Sequence, residues 1–204
     1  MKKKGLLGIA MLLAVGSLMA CSGKAGETAG TTAADSQAQT SEQQTQAESV
    51  AEQAGFTSFT ANTLDGEEVT EAIFADYDLT MINIWGTFCG PCINEMPDLG
   101  EINEEYKDKG FQVVGIVIDV LGQDGSVSQD QLDLAKEIVD TTKASYTHLL
   151  PSYDLIYAKL KDVSAIPETV FVDKDGNYVG KSYLGSKSKE QWIKIIDSML
   201  EELQ

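Results

Sequence analysis

The chain lacks several residue types that particular functions require. Its 204 residues include 3 cysteines, 1 histidine and no arginine, and the formal net charge is -17. Without arginine the chain has no planar, bidentate group to grip phosphates, and its negative charge repels polyanions. We therefore expect no nucleic-acid partner. So few cysteines in a chain of this length also exclude a small scaffold held together by many disulfides.

Long apolar runs are absent except near the N-terminus. Three lysines at 2–4 precede an apolar run from Leu6 to Leu18, which is shorter than the roughly 20 residues of a membrane-spanning helix. This pattern predicts a secretion signal peptide over residues 1–20. Its end, Leu18-Met19-Ala20-Cys21, resembles a lipobox, so we expect cleavage before Cys21 and lipidation of that cysteine. The alternative is an ordinary cleaved signal followed by a chance cysteine.

Residues 21–55 contain mainly Ala, Gln, Thr, Ser, Gly and Glu, with no aromatic residue. Such a segment cannot bury enough apolar surface to offset the entropy lost on ordering, so we predict a disordered tether. Its reach would be on the order of 30 Å. The remaining segment, 56–204, is long enough for one domain with a substantial core.

The pattern of residues 56–204 predicts an α/β fold with a mixed sheet. Nearly continuous apolar runs indicate strands buried on both faces, and apolar residues at steps of three and four indicate helices. Ser128 with Gln131, and Ser188 with Gln191, have the spacing of helix capping boxes. The predicted elements are a hairpin within 59–70, strands at 79–85 and 111–119 with a helix between them, a helix at 129–143, a hairpin of strands 169–172 and 177–181, and a final helix after 188 with an apolar face of Trp192, Ile193, Ile196, Met199, Leu200 and Leu203.

Two cysteines lie where the first buried strand passes into a helix, in the segment WGTFCGPC from Trp85 to Cys92. A thiol at a helix N-terminus faces unpaired amide groups and the positive end of the helix dipole, which favour the thiolate. Lowering a cysteine pKa from ~8.5 to ~7 needs only about 2 kcal/mol. We therefore predict that Cys89 is the attacking nucleophile and that Cys92, one turn further, resolves the mixed disulfide.

Other interpretations of the cysteine pair remain open from the residues alone. The pair could be half of a zinc site, but Cys21 and His148 are the remaining cysteine and histidine, so carboxylates would have to complete it. It could also be a permanent structural disulfide or two unreactive buried thiols. His148 without a visible partner is more typical of a structural residue than of a catalytic one. We predict no metal site.

The sequence resembles the thioredoxin-fold thiol-disulfide oxidoreductases, in particular the membrane-anchored extracytoplasmic group that includes TlpA and ResA. The resemblance covers residues 56–204 and depends on four features of the sequence. It implies a thioredoxin-like three-layer sandwich, with a mixed central sheet, flanking helices and a helix–strand insertion at 120–151. The four features are the WGTFCGPC segment, Glu95-Met96-Pro97, the loop Val163–Pro167 and the DKDGN hairpin at 173–177.

The resemblance also implies how the site binds its substrate. The peptide bond before Pro167 is expected to be cis and to pack against the cysteines, while the backbone of Ile166 pairs with the substrate chain as an added strand. From the residues themselves, Trp85 and Phe88 are expected to form an apolar wall around the thiols, and simple core packing is the alternative. Glu168 stands where many relatives have threonine, which would place a charge beside the substrate groove.

The resemblance implies an acid for proton transfer as well. Glu95 lies one helical turn after Cys92, where the ResA-like group has a glutamate that tunes the thiols, and it could relay a proton for Cys92. A solvated acid on the helix surface is the alternative. Asn83 occupies the strand position where thioredoxin has a buried aspartate, so Glu95 would take over that role.

Together these features predict a lipid-anchored thiol-disulfide oxidoreductase on the extracytoplasmic face of the bacterial membrane. We expect it to reduce disulfides in exported proteins, with no cofactor beyond the Cys89–Cys92 pair. Apocytochrome c and an exported methionine sulfoxide reductase are candidate clients, and a membrane protein with its own thiols would supply electrons. The alternative function is delivery of a soft metal such as copper through Cys89 and Cys92, with His148 as a candidate third ligand. A peroxidase of the peroxiredoxin type is not expected, because the Pro-x-x-x-Thr-x-x-Cys motif that it requires is absent around Cys89.

Overall fold

The computed structural model describes residues 55–203. The signal peptide predicted over 1–20, the predicted lipidation of Cys21 and all but the last residue of the predicted tether lie outside the described residues. That last residue, Gly55, already packs against the domain, because a β-carbon there would collide with the carbonyl oxygen of Gly176. Between residues 55 and 203, every helix is too short or too polar to cross a membrane.

A five-stranded mixed sheet forms the centre of the fold, as predicted. It consists of β3 (Leu79–Trp85), β4 (Phe111–Val117), β5 (Thr147–Leu149), β6 (Glu168–Val172) and β7 (Tyr178–Leu184), and a separate hairpin contains β1 (Thr60–Asn62) and β2 (Glu68–Thr70). The strand order is β5-β4-β3-β6-β7. β4 runs parallel to β3 and β5, whereas β6 runs antiparallel to β3 and β7.

Helices and the hairpin cover both faces of the sheet, which explains why β3 and β4 are buried along their whole length. The helices are α1 (Gly90–Tyr106), α2 (Gln129–Thr142), α3 (Tyr153–Ala158) and α4 (Lys189–Glu202). One face packs against α1, α2 and α4, whose buried side chains include Met96, Ala135 and Trp192. The other packs against α3 and the N-terminal hairpin, with Leu155 and Phe59 buried. The predicted three-layer thioredoxin-like fold is therefore confirmed.

The predicted insertion is also present, since α2 and β5 follow β4 and place β5 at the edge of the sheet beside β4. β4 ends at Val117, two residues before its predicted end, because the next residues turn away toward the active-site segment. The short helix α3 was not predicted. Its single turn and a half carries too few periodic apolar residues to be distinguished from a loop.

Of the two predicted capping boxes, the structure contains one. The capping box of α4 is confirmed, since Ser188 Oγ accepts from Gln191 N and Gln191 Oε1 accepts from Ser188 N. The box predicted for α2 is wrong: the Ser128 side chain makes no cap hydrogen bond, and Gln131 reaches Thr87 instead. Leu203 does not join the apolar face of α4, because it follows the last helical residue and remains 42% exposed.

Candidate active site

Cys89 and Cys92 form a disulfide at the N-terminus of α1, directly after β3. Cys89 is the N-cap residue, and its sulfur accepts a hydrogen bond from the backbone N–H of Cys92 at 3.3 Å. Pro91 lies in the first helical turn, where the N–H that proline lacks has no intrahelical partner. Cys89 is 6% exposed and Cys92 is 0% exposed. Cys89 thus keeps a small exposed surface, whereas Cys92 has none.

A buried carboxylate lies on the same side of the sheet as the disulfide. Glu95 is only 3% exposed, so the alternative of a solvated surface acid is wrong. Its Oε1 atom accepts a hydrogen bond from Asn83 Nδ2 at 3.1 Å, and that amide also donates to Thr169 Oγ1 at 3.2 Å. Asn83 occupies the strand position of the buried aspartate of thioredoxin, and Glu95 is the residue predicted to take over the role of that aspartate. The structure brings these two side chains into contact.

The second oxygen of Glu95 binds the loop between β7 and α4. Its Oε2 atom accepts from the backbone N–H of Lys187 at 3.1 Å and from Trp192 Nε1 at 3.3 Å. The Lys187 amine lies 4.9 Å from the centre of the Trp192 ring. Burial raises the pKa of Glu95 above its usual 4.5, and the hydrogen bonds from Lys187, Trp192 and Asn83 offset only part of this rise. A carboxyl group with a raised pKa can hold and release a proton nearer neutral pH.

The loop before β6 carries the expected cis peptide bond, between Ile166 and Pro167. Pro167 is buried and Ile166 is half-buried. A β-carbon at Gly86 would lie 3.1 Å from both the Ile166 side chain and the Phe88 ring, so both side chains pack close to the redox segment, residues 86–89. Phe88 projects outward with 73% of its surface exposed, so it is available to a docking partner.

Trp85 does not share that exposure, which corrects its predicted place in a substrate-binding wall. It is fully buried, and its Nε1–H donates to His148 Nδ1 at 3.1 Å. The other ring nitrogen, His148 Nε2, lies 2.9 Å from the carbonyl oxygen of Ala144. Trp85 therefore supports the redox segment from beneath and has no surface for substrate. The structural role predicted for His148 agrees with its burial, but its partner Trp85 was not predicted.

The side chains around the cysteine pair offer few further ligands for a metal ion. Both ring nitrogens of His148 are engaged in the hydrogen bonds just described, and burial lowers the pKa of this histidine to about 4. Across residues 55–203, no group of three or more His, Cys, Asp or Glu side chains is arranged to hold a metal ion.

The similarity to known proteins extends over most of the described domain. A family model described as Redoxin matches residues 51–200. The chain belongs to the Redoxin family. One relative is the thiol-disulfide oxidoreductase ResA of Bacillus cereus, which is 31% identical to this chain over 112 residues. The aligned residues are 54% of this chain and 57% of that protein. The match thus spans little more than half the length of that relative.

Other relatives and solved structures extend the match. ResA of Geobacillus thermodenitrificans is 24% identical over 154 residues, 74% of this chain and 81% of that protein. The thiol:disulfide interchange protein of Chlorobium tepidum TLS superposes with a TM-score of 0.59 and 25% identity, covering 72% of this chain and 95% of that one. StoA of Bacillus subtilis has a TM-score of 0.53 and 19% identity over 69% of this chain and 97% of its own, which supports the fold alone. These matches confirm the predicted ResA-like thioredoxin fold.

The prediction that Glu168 places a charge beside the substrate groove is wrong. It is 4% exposed and its Oε1 atom lies 2.5 Å from both Lys159 Nζ and Ser182 Oγ. Because side chains alternate along a strand, Glu168 and Thr169 point to opposite faces of the sheet. Thr169 faces Asn83 on the redox side, so the charge of Glu168 lies on the other face and not beside the substrate groove.

Sequence reasoning missed one set of polar residues next to the cysteines. Thr87, two residues before Cys89, binds Asp119, which lies two residues after β4, and Gln131 from α2. A weak signal was available in the sequence, because Asp119 is the last residue of the strand predicted at 111–119. The carboxyl ends of adjacent parallel strands lie at the same edge of a sheet, so residues that follow them meet there.

Proposed function

We propose that this chain is a thiol-disulfide oxidoreductase that reduces disulfides in exported proteins, outside the cytoplasm. The observation that carries the proposal is the disulfide at the N-terminus of α1, in which the accessible sulfur belongs to the N-cap residue and the shielded one lies within the helix. The unpaired amides and dipole at this helix end stabilise a thiolate on Cys89 once the bond is reduced.

The exchange starts from the reduced pair. The Cys89 thiolate attacks one sulfur of a substrate disulfide, and the other substrate sulfur leaves as a thiolate that takes up a proton. Cys92 then loses its proton and attacks Cys89, which closes the internal disulfide and releases the second substrate thiol. Two electrons and two protons pass to the substrate, and no further cofactor is needed.

Glu95 is the group that we propose to accept the proton of Cys92. It follows Cys92 by one turn of α1, so the two side chains share a helix face. Its burial and raised pKa support the proposal, because a carboxylate that binds protons more readily is a stronger base.

We further propose that the substrate chain docks along Ile166 and Pro167 beside the exposed Phe88. An extended substrate would pair its backbone with the loop before β6, so that many different sequences can be held. Apocytochrome c and an exported methionine sulfoxide reductase are the client classes we propose. A membrane protein with its own cysteine pair would reduce the Cys89–Cys92 disulfide again after each turnover.

The proposed location is the extracytoplasmic face of the cell membrane, with Cys21 lipidated and residues 21–55 as a tether. The lipobox-like sequence and the ResA-like relatives support this proposal. A chain of this composition would hold the domain on the order of 30 Å from the lipid. Metabolic labelling with a fatty-acid analogue checks it, since Cys21→Ser should lose the label while Cys89→Ser keeps it.

The equilibrium reduction potential tests the proposed chemistry. The full chain carrying Cys21→Ser, purified in a non-ionic detergent, would be titrated with a dithiol buffer and its free thiols alkylated. A reductant predicts a two-electron titration near the ~-270 mV of thioredoxin or below. A value near the ~-120 mV of a strong oxidant would reverse the proposed direction. Absence of any two-electron titration, or full insulin reduction by Cys89→Ser, would refute the enzyme.

A further inference from the structure

Both hydrogen-bond donors of Thr87, its backbone N–H and its hydroxyl, bind the carboxylate of Asp119. The backbone N–H of Thr87 lies 3.0 and 3.1 Å from the two oxygens of Asp119, and Thr87 Oγ1 lies 2.5 Å from Asp119 Oδ2. Thr87 belongs to the short segment between β3 and Cys89. The carboxylate therefore holds this segment at the residue two positions before the nucleophile.

The inserted helix extends this contact. Gln131, in the first turn of α2, places its Oε1 atom 3.1 Å from Thr87 Oγ1. The hydroxyl thus stands between Asp119 and Gln131 and can donate its proton to either acceptor. Thr87, Asp119 and Gln131 together are called the Thr87 clamp below. The loop after β4, through Asp119, and helix α2, through Gln131, therefore both hold the redox segment.

The residue before Thr87 is closely packed as well. At Gly86 a β-carbon would lie 3.1 Å from the Ile166 side chain and 3.4 Å from Asp119 Oδ1. Glycine therefore lets the redox segment lie close to both the loop of the cis bond and Asp119. The backbone N–H of Cys89 donates to the carbonyl oxygen of Gly86 at 3.0 Å, so the nucleophile is bonded to the residue next to Thr87.

We propose that Asp119 is a positioning residue for thiol-disulfide exchange, acting through Thr87 on Cys89; this inference rests on the proposed function. Its carboxylate holds the segment that carries the nucleophile. Its negative charge also opposes formation of the Cys89 thiolate, because like charges in a partly buried site repel one another. The disulfide is thereby favoured over the dithiol, which makes the reduced pair a stronger reductant.

Two variants separate the charge of the clamp from its hydrogen bonds. Asp119→Asn keeps an acceptor for Thr87 N–H and removes the charge, whereas Thr87→Val keeps the charge and removes the hydroxyl. The matched control is Asp173→Asn, because Asp173 is likewise a carboxylate that accepts from the backbone, here from Asp175 and Asn177 in the turn between β6 and β7. All three are made in the full chain carrying Cys21→Ser and titrated in detergent with a dithiol buffer.

Asp119→Asn should shift the equilibrium constant at least threefold toward the dithiol, which is about 14 mV for a two-electron couple. Thr87→Val should shift it less, and Asp173→Asn should leave it unchanged, whatever each does to the urea midpoint. A shift in Asp119→Asn no larger than that in Asp173→Asn would overturn the proposal. If Asp119→Asn does not fold, an unchanged potential in Thr87→Val overturns it. Failure of the parent chain to titrate would instead refute the proposed function.

Discussion

Two buried glutamates lie on opposite faces of the sheet, and their surroundings differ in kind. Glu168 is paired with the Lys159 amine at 2.5 Å and also binds Ser182. Glu95 accepts hydrogen bonds from an amide, an indole and a backbone N–H. Among residues 55–203, no lysine amine lies within salt-bridge distance of Glu95.

The difference separates a structural carboxylate from a reactive one. A cation beside Glu168 compensates the cost of burying its charge, so the pair holds the segment after α3 against the start of β6. Three hydrogen bonds and the more distant charge of Lys187 compensate the burial of Glu95 only in part, and its pKa therefore rises. A buried carboxylate near redox cysteines that forms no salt bridge within residues 55–203 is suited to proton transfer.

The largest expected effect comes from breaking the ion pair. Glu168→Ala leaves the Lys159 amine, whose side chain is only 14% exposed, without its partner and should lower the free energy of unfolding by about 3 kcal/mol. The measurement is urea denaturation of the full chain, with two-state behaviour checked by two probes. Glu104→Ala is the control, because Glu104 pairs with Lys107 at 2.6 Å on the surface and should contribute under about 1 kcal/mol.

A double variant then decides whether charge is needed at Glu168 at all. Lys159→Met with Glu168→Leu removes both charges and should recover most of the lost stability, because apolar replacement of a buried pair is often neutral. The variant should also leave the reduction potential unchanged, since the pair lies across the sheet from the cysteines. A double variant as unstable as Glu168→Ala would contradict the view of Glu168 as an ion-paired structural residue.

The pH dependence of stability should show two opposed contributions. The His148 pKa is lowered by burial from 6.5 to about 4, so the unfolded chain gains a proton first as the pH falls. This contribution to stability is complete above pH 6.5 and should be reduced by about 2 kcal/mol at pH 5. The Glu95 pKa is raised above 4.5, so its contribution is present below that pH and is lost as the pH rises through the folded-state value.

His148→Gln separates the two contributions. Glutamine can accept from Trp85 and donate to Ala144 but does not titrate, so the loss between pH 7 and pH 5 should disappear. What remains should include a rise in stability on acidification from Glu95. Urea unfolding at several pH values measures both slopes. An unchanged acid loss in His148→Gln would show that another group causes it.

The smallest effect on stability is expected from Glu95→Gln. The free energy of unfolding at neutral pH should change by less than about 1 kcal/mol, because Asn83 Oδ1, which has no partner within residues 55–203, can rotate to accept from the new amide. Closure of the disulfide by Cys92 should slow by about a hundredfold, the lower end of general-base contributions. Quenched single-turnover reduction of a disulfide peptide measures this step, with Glu104→Gln as the control. Equal rates would leave Glu95 a structural acceptor.

The main elements of the fold and the cysteine pair could be predicted from local patterns. Continuous apolar runs indicated β3 and β4, and the position of Cys89 after a strand indicated an N-cap thiol. The bounds of β4 and the cap of α2 could not be predicted in the same way. Asp119 and Gln131 are drawn to Thr87, and that contact competes with continued strand pairing and with local capping.

The periodicity, the turns and the spacing of the redox motif can be predicted from short stretches of sequence, because they depend on residues only a few positions apart. Which buried polar groups meet depends instead on the tertiary fold. The register of β3 against β6 pairs Asn83 with Thr169 and turns Glu168 to the opposite face. The insertion brings His148 to Trp85 and Gln131 to Thr87. These contacts join residues that are far apart in the chain, so they follow from strand order and register, which short sequence patterns do not specify.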